Sequence, residues 1–129
     1  MRLPPLLRAQ PRLVQVLLAV VLPALYGAVT GYFLGVSEVA YLVLTVLGVL
    51  GGIGAGFDHV GAATGAKRGL LAGSIFGAAI LIAHEIHGAE AKAELPEPAI
   101  LLVLITTVLA VGFGALGGWL RARAERRAE

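Results

Sequence analysis

The densest chemistry in this 129-residue chain is the run AHEIHG, residues 83–88. Two imidazoles three residues apart fall on neighbouring positions of one helix face, with a carboxylate between them. Imidazole and carboxylate can ligate a divalent metal or relay a proton. The spacing limits both roles. A zinc site takes three or four ligands, and one helix cannot aim His84, Glu85 and His87 at a single ion. Glu38, expected at the same membrane face, or a second subunit would have to complete the set. The second histidine stands at +3 rather than +4, so the metalloprotease helix signature is absent. Two readings follow. One is an interfacial cluster that reaches into lipid headgroups. The other is a cation or proton site at a pore mouth, with Glu38, Glu85, Glu90, Glu94 and Glu97 as an acidic vestibule.

Other chemistries are excluded by what is missing. The chain has no cysteine, so thiolate catalysis, thiolate metal sites and disulfides are ruled out. Ser37 and Ser74 are its serines, and neither sits in a GxSxG elbow; GxGxxG and GxxxxGKS phosphate loops are also absent. A net charge of +2 with no interleaved aromatic and basic residues gives no footprint for nucleic acid. No cofactor is implied. Beyond Glu85 there is no evident nucleophile or general base, so the expectation is a protein that is not an enzyme. Asp58-His59 lies between other apolar runs, where Asp58 is expected to pair with Lys67 or Arg68. The hydroxyls of Thr45, Thr106 and Thr107 are expected to bond their own helix backbone.

The elements that carry these residues are set by lipid. The chain is 58% hydrophobic and 14% charged, with a mean hydropathy of +0.89. A soluble domain carries roughly 25% charged residues, so this one lacks the polar surface to cover itself in water. Four apolar segments reach bilayer length, at about 13–36, 39–57, 69–86 and 99–120. The fold class is therefore all-α, a four-helix transmembrane bundle in one domain. The first segment follows arginines as a signal peptide would, but it runs past Pro23 to Val36 and reads as a retained helix kinked at that proline. Residues 88–98, GAEAKAELPEP, read as a short amphipathic helix, with Pro96 and Pro98 starting the last span.

Charge sets the topology. Four spans put the N-terminus, the second loop and the tail 121–129 on one side. That side holds Arg2, Arg8, Arg12, Lys67, Arg68, Arg121, Arg123, Arg126 and Arg127, nine of the ten Lys and Arg residues. The positive-inside rule then places both termini in the cytoplasm. Lys67, Arg68, Arg121 and Arg123 read as topology anchors at the inner lipid boundary. The excess of Arg, Ala, Val, Leu and Gly suits a GC-rich bacterial genome, and hence an inner (plasma) membrane.

Glycine makes up 18 residues and recurs at four-residue spacing in every span. The sets are Gly27/Gly31/Gly35, Gly48/Gly52/Gly56, Gly69/Gly73/Gly77 and Ala110/Gly114/Gly118. In lipid, where hydrophobic drive between helices is weak, such faces let backbones approach closely. Gly61 and Gly65 continue the third ladder as a turn or short helical extension. A shift of 42 residues lays the first glycine set on the third, and a shift of 62 lays Thr45–Gly56 on Thr107–Gly118, which suggests two tandem helical hairpins. The expected activity is that of a non-enzymatic scaffold or accessory subunit working through glycine faces, in lipid, as a homo-oligomer or with a membrane-protein partner. The alternative is a small oligomeric cation channel or carrier with His84, Glu85 and His87 at its outer mouth.

Overall fold

The computed structural model describes residues 3–129; Arg2, one of the nine basic residues expected on one side, lies outside the described residues. Four helices are long and apolar enough to cross a membrane: α1 (Arg12–Leu34), α2 (Glu38–Phe57), α3 (Ala62–His87) and α4 (Leu101–Ala128). The most extensive interface joins α3 to α4. Next come α1 on α3 and α2 on α4, so α3 and α4 form the central pair and the other two flank it.

Local chemistry sets the ends. Ser37 begins α2 by accepting a hydrogen bond from Ala40 N–H at 3.3 Å, with Glu38 in the first turn beside the positive helix terminus. Gly61, at φ 99°, lets the chain turn into α3, and Gly88, at φ 73°, stops it in the left-handed region where its N–H bonds His84 O. Helix α3 thus starts seven residues before the apolar run and takes in Gly65, Lys67 and Arg68. Helix α4 continues through the basic tail to Ala128.

The two halves of the bundle are held differently. Towards the loop after α3, large side chains meet: Leu34, Tyr41, Phe76, Ile80 and Leu102 form a buried cluster. Towards the termini, backbones touch. A Cβ built on Gly65 or Gly56 overlaps the carbonyl of Gly114, one on Gly69 overlaps that of Ala110, and one on Gly118 overlaps that of Gly61. Gly117 meets Ile53 O in the same way. Helix α1 uses Gly27 and Gly31 against the carbonyls of Phe76 and Ile80. Gly77 makes room for the Thr106 hydroxyl, which donates to Gly73 O at 2.9 Å across the α3–α4 interface as well as bonding Val103 O. Thr107 and Thr45 bond their own helix backbone, to Val103 O and Tyr41 O.

Three members of the expected glycine sets depart from this pattern. Gly35 is not part of a helix face: α1 ends at Leu34, and Gly35 sits in the turn that follows. Ser37 already caps α2, so the chain has to reverse over Gly35 and Val36 and the first span stops two residues short of Val36. What packs on Gly35 is side chain rather than helix backbone. A Cβ there would stand 2.8 Å from the Ala89 methyl and 2.9 Å from His87 Nδ1. Gly48 likewise makes room for the Tyr26 and Phe76 rings, and Gly52 has only ordinary contact with Phe113. Spacing alone put these three on a par with Gly27 and Gly56; helix ends and large neighbours separate them.

Residues 88–98 form no helix. They run extended across the end of the bundle, with Ala91, Ala93 and Leu95 turned onto the buried cluster and Lys92 and Glu94 exposed. That alternation is the period of a strand, not of a helix. Lys92 N–H donates to Leu34 O at 2.7 Å and satisfies a carbonyl that the end of α1 leaves open.

Candidate functional site

The AHEIHG run, residues 83–88, does not come together as a centre. Among the described residues, no three His, Cys, Asp or Glu side chains lie close enough to hold a metal ion. His84, Glu85 and His87 are therefore not a three-ligand site within one chain, and Glu38 does not complete them. Glu85 and His87 are exposed, and the His87 ring packs against Tyr32 with centroids 4.5 Å apart. His84 is half-buried and continues the inward face, with a buried Nδ1 that has no hydrogen-bond partner. The reason is geometric. Successive helix positions diverge by about 100°, and the covering loop turns Ala91, Ala93 and Leu95 inward while Glu90, Glu94 and Glu97 stay exposed.

The site that sequence reasoning missed is built around Arg68. Its side chain does not face outward: it is 7% exposed, inside the bundle. Its position, six residues into α3, puts its Cα about 9 Å along the helix from Ala62. Pro23 draws it in. Just before that proline, α1 makes a π-helical turn over Leu17–Val21, in which Leu22 N–H reaches back to Leu17 O. Continuing that spacing, Leu18 O would need a donor from residue 23; with ordinary α-helical spacing, so would Ala19 O. Proline has no N–H to give either one. The Arg68 guanidinium supplies both, Nη2 donating to Leu18 O at 2.8 Å and Nη1 to Ala19 O at 3.3 Å. A carbonyl bare in lipid costs on the order of several kcal/mol, so the long reach is favourable.

Arg68 also lines a cavity of about 210 Å³ between α1, α2 and the central pair. Its walls are apolar: Leu18, Leu22, Leu47, Gly51, Ala55 and Phe76. Tyr26, at its edge, turns its hydroxyl away to donate to Leu44 O at 2.7 Å. The rim is open to lipid, since Leu22 and Leu47 are 54% and 56% exposed.

At the terminal end, Arg121 is likewise buried. It donates from Nη1 to Pro4 O at 2.6 Å, lies over the Phe57 ring, and pairs through Nε with Glu125 at 2.9 Å. Leu7 N–H bonds Asp58 O, and Gly61 N–H bonds Gly118 O. The N-terminal segment, the α2–α3 loop and the end of α4 therefore meet at one end of the bundle. Arg123 stays exposed and stacks on Trp119, and Lys67 is exposed.

Asp58 makes no contact ion pair with Lys67 or Arg68; the ion pair among the described residues is Arg121–Glu125. Burial raises the Asp58 carboxyl above its ordinary 3.8, opposed by the Arg68 charge, and lowers the His59 imidazole below 6.5. The signs oppose each other. His59 contributes stability that is complete above pH 6.5 and is lost as pH falls through its lowered value. Asp58 contributes stability present below 3.8 and lost as pH rises through its raised value. In melts at about pH 7.5 and about pH 5.5, on either side of the ordinary 6.5, His59→Gln is expected to lessen the loss on acidification; in melts at about pH 3.8 and about pH 7.5, Asp58→Asn is expected to remove a loss as pH rises. Parallel melts for both variants and the parent would remove these groups from the account.

Comparison of the chain with protein-family models, curated proteins and solved structures finds no match.

Proposed function

We propose that this chain is a small non-enzymatic integral membrane protein that serves as a scaffold or accessory subunit, first of all to a second copy of itself. In this reading it is a glycine-zipper bundle of two tandem hairpins in a bacterial inner membrane. The nine basic residues on one side support cytoplasmic termini.

One observation carries the reading. Along α2, Val43, Leu47, Leu50 and Gly54 recur at helical spacing on an exposed stripe, and a Cβ on Gly54 would meet nothing within 4 Å. Glycine inside a helix costs roughly 1 kcal/mol relative to alanine. At Gly56 or Gly69 the chain's own backbone explains that cost. At Gly54 nothing in the chain does, and a backbone from outside would. The cation-channel reading finds less support: His84, Glu85 and His87 do not converge, and the charge buried along α3 is a guanidinium, which repels cations.

The test is energy transfer between donor- and acceptor-labelled chains in vesicles. Gly54→Leu is expected to weaken association about tenfold, equivalent to about 1.4 kcal/mol, with helicity unchanged. Association equal to that of the parent would overturn the proposal.

A further inference from the structure

The geometry points to the Arg68 cavity as a binding site for the carboxylate of a single-chain amphiphile, a free fatty acid drawn from the surrounding lipid. It shares Leu47 with the self-association stripe of α2 and otherwise rests on separate observations.

Three features select that ligand. The first is charge. Arg68 is only 7% exposed, has no carboxylate within ion-pair distance among the described residues, and spends two of its five N–H groups on Leu18 and Ala19. Its Nε is buried and has no acceptor. A guanidinium kept out of water and unpaired favours an anion, and a carboxylate matches its fork geometry. The second is size. An apolar cavity of about 150 Å³ suffices for benzene, so about 210 Å³ takes a carboxylate and the first part of one chain. A phosphodiester with two acyl chains does not fit. The third is access. Leu22, Leu47 and Gly51 put the rim at the lipid-facing surface, so the rest of the chain leaves sideways between α1 and α2 without entering water.

Gly51 supplies a clean perturbation. It lines the cavity, and a Cβ there meets nothing within 4 Å, so a larger side chain fills the space without displacing backbone. The experiment uses the full chain in phosphatidylcholine nanodiscs with a long-chain carboxylate that carries a photoreactive diazirine. Labelling is expected to saturate at one per chain and to be competed by oleate but not by phosphatidylglycerol. It is expected to fall about tenfold with Gly51→Leu, with Arg68→Gln, and when the methyl ester replaces the acid, as loss of a charge-assisted contact implies. Labelling that survives Gly51→Leu, equal labelling by the ester, or equal competition by phosphatidylglycerol would each overturn the proposal. Because Gly51→Leu keeps the Arg68 bonds, the test stands even if Arg68→Gln fails to fold.

Discussion

Gly69→Ala is expected to loosen the α3–α4 pair by about 1–3 kcal/mol, the cost of overpacking a close-packed contact. One added methyl group overlaps the carbonyl of Ala110, which is backbone and cannot rotate away. The two helices must separate along the glycine face, which also loosens the contacts of Gly65 and Gly73 with the same helix. The sign is what makes the prediction sharp. By intrinsic helix propensity alone the change should be favourable by roughly 1 kcal/mol. Gly112→Ala, on α4 with open space around the new Cβ, is the control and should follow propensity. Reversible unfolding in mixed micelles reads both. A stabilised Gly69→Ala would mean that the helix backbones are not in contact there.

The second large effect concerns Pro23 and Arg68. Arg68→Met removes both donors from Leu18 O and Ala19 O, and an unsatisfied buried acceptor costs roughly 1–3 kcal/mol. Removing a buried charge also relieves its desolvation, so the single-variant loss is a difference between opposing terms. A double-mutant cycle cancels the desolvation. Pro23→Ala gives residue 23 an N–H that can serve Ala19 O, and in that background Arg68→Met is expected to cost less. The expected coupling is about 1–3 kcal/mol, the range for residues sharing hydrogen-bond partners. Additive effects would mean that the guanidinium is buried for some reason other than the proline.

Arg68 also shows where sequence reading stops. The four helices were legible because lipid demands long apolar runs, and each run became a helix within a few residues of its expected ends at most boundaries. The start of α3 was not, because AATGAKR is polar by hydropathy yet rich in alanine, and helix propensity carries it. A charge bordering an apolar run reads as an anchor from its neighbours alone. The reason for its burial sat about fifty residues earlier, in two carbonyls that a proline had left open. Pro23 was the visible signal, but sequence does not say which side chain answers it. Arg121 is the same case, since its acceptor Pro4 O is 117 positions away in the chain.

The covering loop was legible in a different sense. Ala91, Ala93 and Leu95 alternate with Lys92 and Glu94 at a strand period, which argues against the amphipathic helix. Gly35 belongs with this loop, not with the helix face its spacing suggested, because Ala89 and His87 close over it. His84 and His87 share a helix face by spacing, but their fate depended on what the loop and α1 set against them. Tyr32 beside His87, and no third ligand, followed from tertiary packing that spacing alone does not fix.

The most direct test of the scaffold reading uses the absence of native cysteine. Single cysteines placed along α2, one at a time, can be oxidised in native membranes and the disulfide-linked dimers measured. The account predicts dimers that peak at positions 43, 47, 50 and 54 and fall away at position 42, which is exposed but lies about 100° round the helix from position 43. Dimers absent throughout, or peaking on another face, would contradict it.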